Sequence, residues 1–139
     1  MKRRVLYYKG FRHEDAERLQ RMLEATLPKQ RLDIHETVES LRRRLRQIGN
    51  GVGVAVLLVA GKADLMNILE ISDLLHDLST ILILPDGDGD MVAKALTLRP
   101  RFLSYVHSDH ADVAKVLDKI LQNMSMKSKV GASPNRGRN

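Results

Sequence analysis

A chain of 139 residues with a formal net charge of +6 and no cysteine is long enough to bury its own core as one domain, and it has neither disulfides nor thiolate metal sites to offer. No run approaches the ~20 apolar residues of a membrane helix, and the apolar stretch after Met1 is too short for a secretory signal, so a cytoplasmic protein with no membrane partner is expected. The charge is uneven: residues 1–47 carry 13 Lys+Arg against 7 Asp+Glu, residues 48–123 carry 6 against 10, and the last 16 residues carry 4 against none. With no Trp, two Phe and three Tyr, stacking platforms for single-stranded nucleic acid are scarce, and a nucleic-acid partner is disfavoured.

Taken in chain order, "RRVLYY" (residues 3–8) is short, β-rich and stopped by Lys9-Gly10, the pattern of a first strand. Ala16, Leu19, Met22, Leu23 and Leu27 follow at helical spacing, with acids early and Pro28 as the stop, which predicts a first helix. "RLDIHE" alternates Leu32 and Ile34 with charged neighbours and reads as a second, more exposed strand. Thr37 is placed to cap a second helix whose apolar line is Leu41, Leu45 and Ile48, ended by Gly49-Asn50-Gly51.

"VGVAVLLV" (52–59) is apolar throughout, as a central strand covered on both faces must be. A single third helix is predicted over residues 62–77, carrying Leu65, Ile68, Leu69, Leu74 and Leu75. "STILILP" makes an apolar fourth strand, residues 90–98 a fourth helix before Pro100, and "RFLSYV" a fifth strand. Val113, Val116, Leu117, Ile120 and Leu121 define a fifth helix that ends at Met124. Residues 125–139, rich in Ser, Gly, Asn and basic side chains, offer little to bury and are expected to be a disordered basic tail after a domain spanning 1–124.

Strands that alternate with helices through short links call for a three-layer α/β/α fold around a five-stranded parallel sheet. The apolar third and fourth strands belong inside and the charged second at an edge, which matches the order 2-1-3-4-5. In such a fold the ligand edge is built from the loops after each strand. Here those loops supply Lys9, Arg12, Lys62, Asp86, Asp88, His107, Ser108 and His110.

The acidic loop "PDGDGD" (85–90) tests poorly as a calcium loop. The glycine required at the sixth position is Met91 and the glutamate required at the twelfth is Thr97. Asp86 and Asp88 are weak candidates for a divalent ion, and the ordinary reading of the loop is a turn and helix cap; no metal and no cofactor is assigned. Ser108 or Asp109 suits a cap for the last helix. Arg42, Arg43, Arg44 and Arg46 suit a solvated helix face paired with Glu39, or a grip on phosphate or an acidic partner. "GNGVG" (49–53) precedes a strand, whereas a dinucleotide fingerprint follows one, and no P-loop or nucleophile elbow is present.

The element order, the length and the segment "ILILPDGDGDMVAKALTLRPRFLSYVHSDHADVAKVLDKILQNM" together resemble the receiver domain of bacterial response regulators. The resemblance implies phosphorylation of an aspartate at the end of the third strand, with Mg²⁺ held by that carboxylate and by an acidic pair after the first strand. A hydroxyl after the fourth strand and a lysine after the fifth would read the phosphoryl group. This chain has Lys9-Gly10, Val59-Ala60, Pro85 and Ser108 at those places, so the resemblance is to a degenerate receiver that cannot run that chemistry. Tyr105 falls at the family's switch aromatic.

The reading that follows is a non-catalytic regulatory domain of bacterial signalling, not an enzyme, acting through protein contact with a partner or with itself. The resemblance points to the predicted fourth helix, fifth strand and fifth helix as a homodimer face; Tyr105 with Arg42, Arg43 and Arg46 are the candidate contact residues. The alternative is a small-molecule or divalent-metal-binding flavodoxin-like protein that uses the ligand-edge loops.

Overall fold

In the computed structural model, residues 3–11, 13–28 and 31–132 are described, with side chains to Met124. Eleven elements run β1 (Arg4–Lys9), α1 (Glu14–Thr26), β2 (Leu32–His35), α2 (Val38–Arg46), β3 (Val52–Leu58), α3 (Lys62–Leu69), α4 (Ser72–Leu75), β4 (Ser79–Leu84), α5 (Gly89–Leu96), β5 (Phe102–Tyr105) and α6 (Ala111–Ala132). The five strands form one parallel sheet in the order β2-β1-β3-β4-β5. The α/β/α fold and the strand order are as the sequence implies.

Every residue of β3 is buried, and the two-residue alternation sends its side chains to two separate cores. Leu6, Tyr8, Ala55, Leu57, Leu82 and Leu84 face α2, α3, α4 and α5. Val5, Tyr7, Val54, Val56, Ile81 and Ile83 face α1 and α6. Each apolar side chain so buried contributes about 1.5–3 kcal/mol relative to exposure, so the central strands set which way every helix must face.

α1 meets that demand with Ala16, Leu19 and Leu23 on one stripe, capped by His13, whose ring nitrogen accepts from the Asp15 N–H. α2 is capped as expected, Thr37 Oγ1 accepting from Ser40 N at 3.0 Å. Its C-terminus departs from expectation. The helix stops at Arg46, Gln47 turns extended, and Ile48 projects wholly into solvent instead of joining Leu41 and Leu45.

The cause is a clamp: Arg44 donates to Gln47 Oε1 at 3.1 Å and to the Asn50 carbonyl at 3.0 Å, so both flanks of Ile48 are tied down. Asn50 in turn donates to the Leu45 carbonyl and accepts from Val52 N. Gly49 and Gly51 supply the positive φ that the reversal needs, at 64° and 75°.

Two further boundaries differ from the sequence reading. The single helix expected over 62–77 is two, α3 and α4. At Ile71 the chain tightens, its N–H reaching the Ile68 carbonyl at 3.0 Å, and this turns Ile71 and Leu75 into the core. The last helix continues from Met124 to Ala132, because extending an existing helix avoids the cost of nucleation. The remainder of the expected tail lies outside the described residues.

The edge strand β2 is fixed by charge. Asp33 accepts from Arg4 at 2.8 and 3.0 Å and from Arg44 at 3.0 Å, which joins β2, β1 and α2. The Arg4 hydrogen bond, with the Arg44 charge, holds the Asp33 carboxyl below its ordinary value against the opposing effect of burial. On the same strand, burial lowers the pKa of His35, whose ring lies 2.5 Å from Ser40 Oγ.

Because the folded Asp33 binds its proton more weakly than the unfolded residue, its contribution is complete above about pH 4 and disappears as pH falls through the folded value. In denaturant titrations at successive pH values, the wild type should therefore lose more stability on the acid limb than Asp33→Asn; parallel acid limbs would count against the clamp. Thr80 in β4 is 2% exposed, and its hydroxyl has no partner among the described residues. Thr80→Val should raise the unfolding free energy by about 1 kcal/mol, and a loss of stability would show that the hydroxyl is satisfied.

Candidate functional site

All strands point their C-terminal ends the same way, so the loops after β1, β3, β4 and β5 meet at one edge. They enclose an open cleft of about 230 Å³ lined by Phe11, His13, Asp15, Ala60, Pro85, Val106 and His107. Phe11, Ala60, Pro85 and Val106 make its apolar part, and His13, Asp15 and His107 its polar part. The Phe11 and His13 rings lie 6.0 Å apart at a 58° tilt on one side. Asp15 is nearly buried there and pairs with Arg18 at 3.2 Å.

Beside the cleft sits a carboxylate that the sequence pattern does not single out. Asp64, in the first turn of α3, accepts from the Ala60 N–H at 2.9 Å and from the Tyr8 hydroxyl at 2.5 Å. A carboxylate is favoured at that position because the first turn of a helix exposes unpaired N–H groups and positive dipole. Burial, with the Asp64 hydrogen bond and charge, raises the Tyr8 pKa well above its ordinary value, so the phenol stays a donor.

This pair also dictates the residue after β1. Gly10 N donates to the Leu58 carbonyl at 2.8 Å, and a Cβ on Gly10 would collide with the Asp64 carboxylate and stand 2.6 Å from that carbonyl oxygen.

The sequence-derived ligand residues separate in the structure. Among the described ones only His107 lines the cleft. Lys9 turns under α1, buried, with Nζ 2.8 Å from both Glu17 Oε2 and Gln20 Oε1 and 4.0 Å from Glu36. Lys62 and Lys94 hold Asp90 between them at 3.0 and 2.8 Å, an exposed network that joins the starts of α3 and α5. These lysines lower the Asp90 pKa, Lys94 foremost, and Asp90 raises that of Lys62.

Asp86 folds the acidic loop by accepting from Asp88 N at 3.0 Å, while Asp88 sits at the α5 cap position without a side-chain bond. Ser108 is exposed, and Asp109 rather than Ser108 supplies the side-chain bond at the start of α6, accepting from Ala111 N at 2.9 Å. The His110 ring lies 3.2 Å from the Val106 carbonyl. Arg12 lies outside the described residues. Among the described residues no group of three His, Asp or Glu side chains converges as a metal-ligand set.

Of the contact residues, Tyr105 is half-buried against the α2–α5 core, below the acidic loop. Arg42 pairs with Glu39 at 2.7 Å, and Arg43 and Arg46 are exposed. Phe11 and His13 share the loop of Lys9 and Arg12, whereas the cleft residues Asp15 and Val106 lie outside the loops that the sequence assigns to this edge. One lies inside a helix and the other ends an apolar run, so no local pattern singles them out.

No protein-family model matches the chain, and no curated protein matches it. Solved structures do. A CheY-like response-regulator receiver domain from Methanospirillum hungatei superposes with a TM-score of 0.67 at 11% identity, covering 91% of this chain and 99% of that one. The signal receiver domain of an HD-domain-containing protein from Pseudomonas fluorescens gives 0.64 at 14% identity, with the same coverage. A pilus assembly-related protein from Burkholderia pseudomallei gives 0.60 at 16% identity, covering 86% and 90%. The chain therefore has the receiver fold that its sequence resembles.

Restoring one receiver carboxylate tests the geometry of the edge. Gly10→Asp should lower stability by about 2 kcal/mol in thermal or denaturant unfolding, because the new side chain must displace Asp64 from Tyr8 and Ala60. Unchanged stability would remove the close approach from the account.

Proposed function

We propose that the chain is a receiver-like regulatory domain of bacterial signalling that has no phosphorylation chemistry and acts in the cytoplasm by contact with protein. The receiver fold supports the regulatory half of this reading. The observation that carries the other half is the lining of the cleft: Ala60 follows β3 where an acceptor aspartate would stand, Pro85 follows β4, and His107 stands beyond β5. Gly10, held against Leu58 and Asp64, leaves no room for an acid after β1.

An aspartyl phosphate needs an acceptor carboxylate, a Mg²⁺ site and a cation for the phosphoryl group. Apolar walls would instead strip water from that charge without replacing its partners. Asp64, beside the cleft, is engaged by two hydrogen bonds that order the fold, and Asp15, in the cleft lining, pairs with Arg18. The face made by α5, β5 and α6 is the surface through which receiver-type contact would run, with Leu96 exposed and Tyr105 half-buried along it.

Incubation with a small acyl-phosphate donor and Mg²⁺, followed by intact-mass measurement, should leave the mass unchanged. A single phosphoryl adduct that is lost on treatment with hydroxylamine would mark an aspartyl phosphate and end this reading.

A further inference from the structure

We propose that the chain associates head to tail with further copies of itself, the exposed Ile48 of one copy seated in the cleft at the opposite edge of the next. The proposal deepens the reading above by naming a partner for the cleft that phosphorylation chemistry leaves unused. It stands on three observations.

The first is the knob. Ile48 is 103% exposed, yet it does not sit on a loose loop: Arg44 grips Gln47 on one side and Asn50 on the other, while Asp33 grips Arg44. A large apolar side chain held in solvent by a buttressed turn is preorganised for burial against something else.

The second is the socket. The turn carrying Ile48 leads into β3, whereas the cleft lies beyond the far end of that strand. The two are separated along the sheet by about 23 Å of β3. The cleft's Phe11, Ala60, Pro85 and Val106 offer apolar contact beside His13, Asp15 and His107, and its 230 Å³ admits a branched four-carbon side chain.

The third is charge. Around Ile48 lie Arg3, Arg43 and Arg46, exposed and without a carboxylate partner among the described residues. Around the cleft lie Asp86, Asp88 and Asp109, also exposed, and among the described residues the lysines at that edge, Lys62 and Lys94, are both held by Asp90. α6, with 22 residues, is about 33 Å long and starts at the acidic edge.

An apolar anchor ringed by arginine and a cleft ringed by carboxylate are complementary on the same molecule. Because the two patches differ, the contact repeats rather than closing on a twofold axis. An isologous dimer would stop at two copies; this one continues.

Sedimentation equilibrium of the whole chain tests it. At about 10 mM salt, where the Debye length is about 30 Å, the weight-average mass should rise with protein concentration through that of a dimer without a plateau, and association should weaken at about 1 M salt. Ile48→Asp should remain a monomer, and circular dichroism should show it folded, since the side chain touches no core.

Arg43→Glu/Arg46→Glu and Asp86→Lys/Asp88→Lys should each be monomeric alone and should associate when mixed, because each then offers the other an opposite charge. Leu96→Asp, on the α5 face, should associate like the wild type. A wild-type chain that stays monomeric, an Ile48→Asp chain that still associates, or a swapped pair that does not, would each overturn the proposal. Loss of association in Leu96→Asp alone would move the contact to the α5 face. None of these outcomes bears on the phosphodonor experiment, so the two readings fail separately.

Discussion

The whole molecule follows from the need to cover β3 and β4 on both faces. A strand without a polar side must lie between two layers, and parallel neighbours joined by crossovers put helices in those layers. Once α2 to α5 cover one face and α1 and α6 the other, every strand ends at the same edge. The cleft exists because the loops after β1, β3, β4 and β5 are forced to converge there. The turns before the strands converge at the opposite edge for the same reason.

That shared direction also sorts charge. Helices after parallel strands begin near one edge and end near the other, so their dipoles favour acids at the first and bases at the second. α1 opens with Glu14, Asp15 and Glu17, and α2 closes with Arg43, Arg44 and Arg46. Along the chain the charge reads as a basic half and an acidic half. In the fold it becomes two poles, and one arginine of the basic pole, Arg44, does structural work by joining Asp33 to the turn around Ile48.

The fold was legible because its signals are local and redundant: apolar runs for β3 and β4, charge in β2, and helical spacing between strands. Long-range hydrogen bonds were not legible. Nothing near Ile48 announces that Arg44 will hold its flanks, and three apolar residues at helical spacing argued for one face. The break at Ile71 hid for the same reason, since either path keeps an apolar residue toward the sheet. At the site, counting from the strands located Ala60 and Pro85 correctly. It could not see that Lys9 turns under α1 toward Glu17, or that Asp64 reaches back to Ala60 and Tyr8.

Asp64 shows how a carboxylate at such an edge can serve the fold itself, its oxygens taken up by hydrogen bonds within the chain. A metal or phosphoryl site needs acids whose oxygens are open to a ligand, and it tolerates their mutual repulsion only while the cation is present. Asp64 has both oxygens committed, one to the Ala60 amide and one to Tyr8, the glycine opposite leaves no space for an added carboxylate there, and Asp15 pairs with Arg18. The negative charge is matched to the N-terminus of α3 instead of to a metal. The edge is therefore ordered by its own hydrogen bonds, and Phe11, Ala60, Pro85 and Val106 stand in the open cleft beside Asp15 and two histidines.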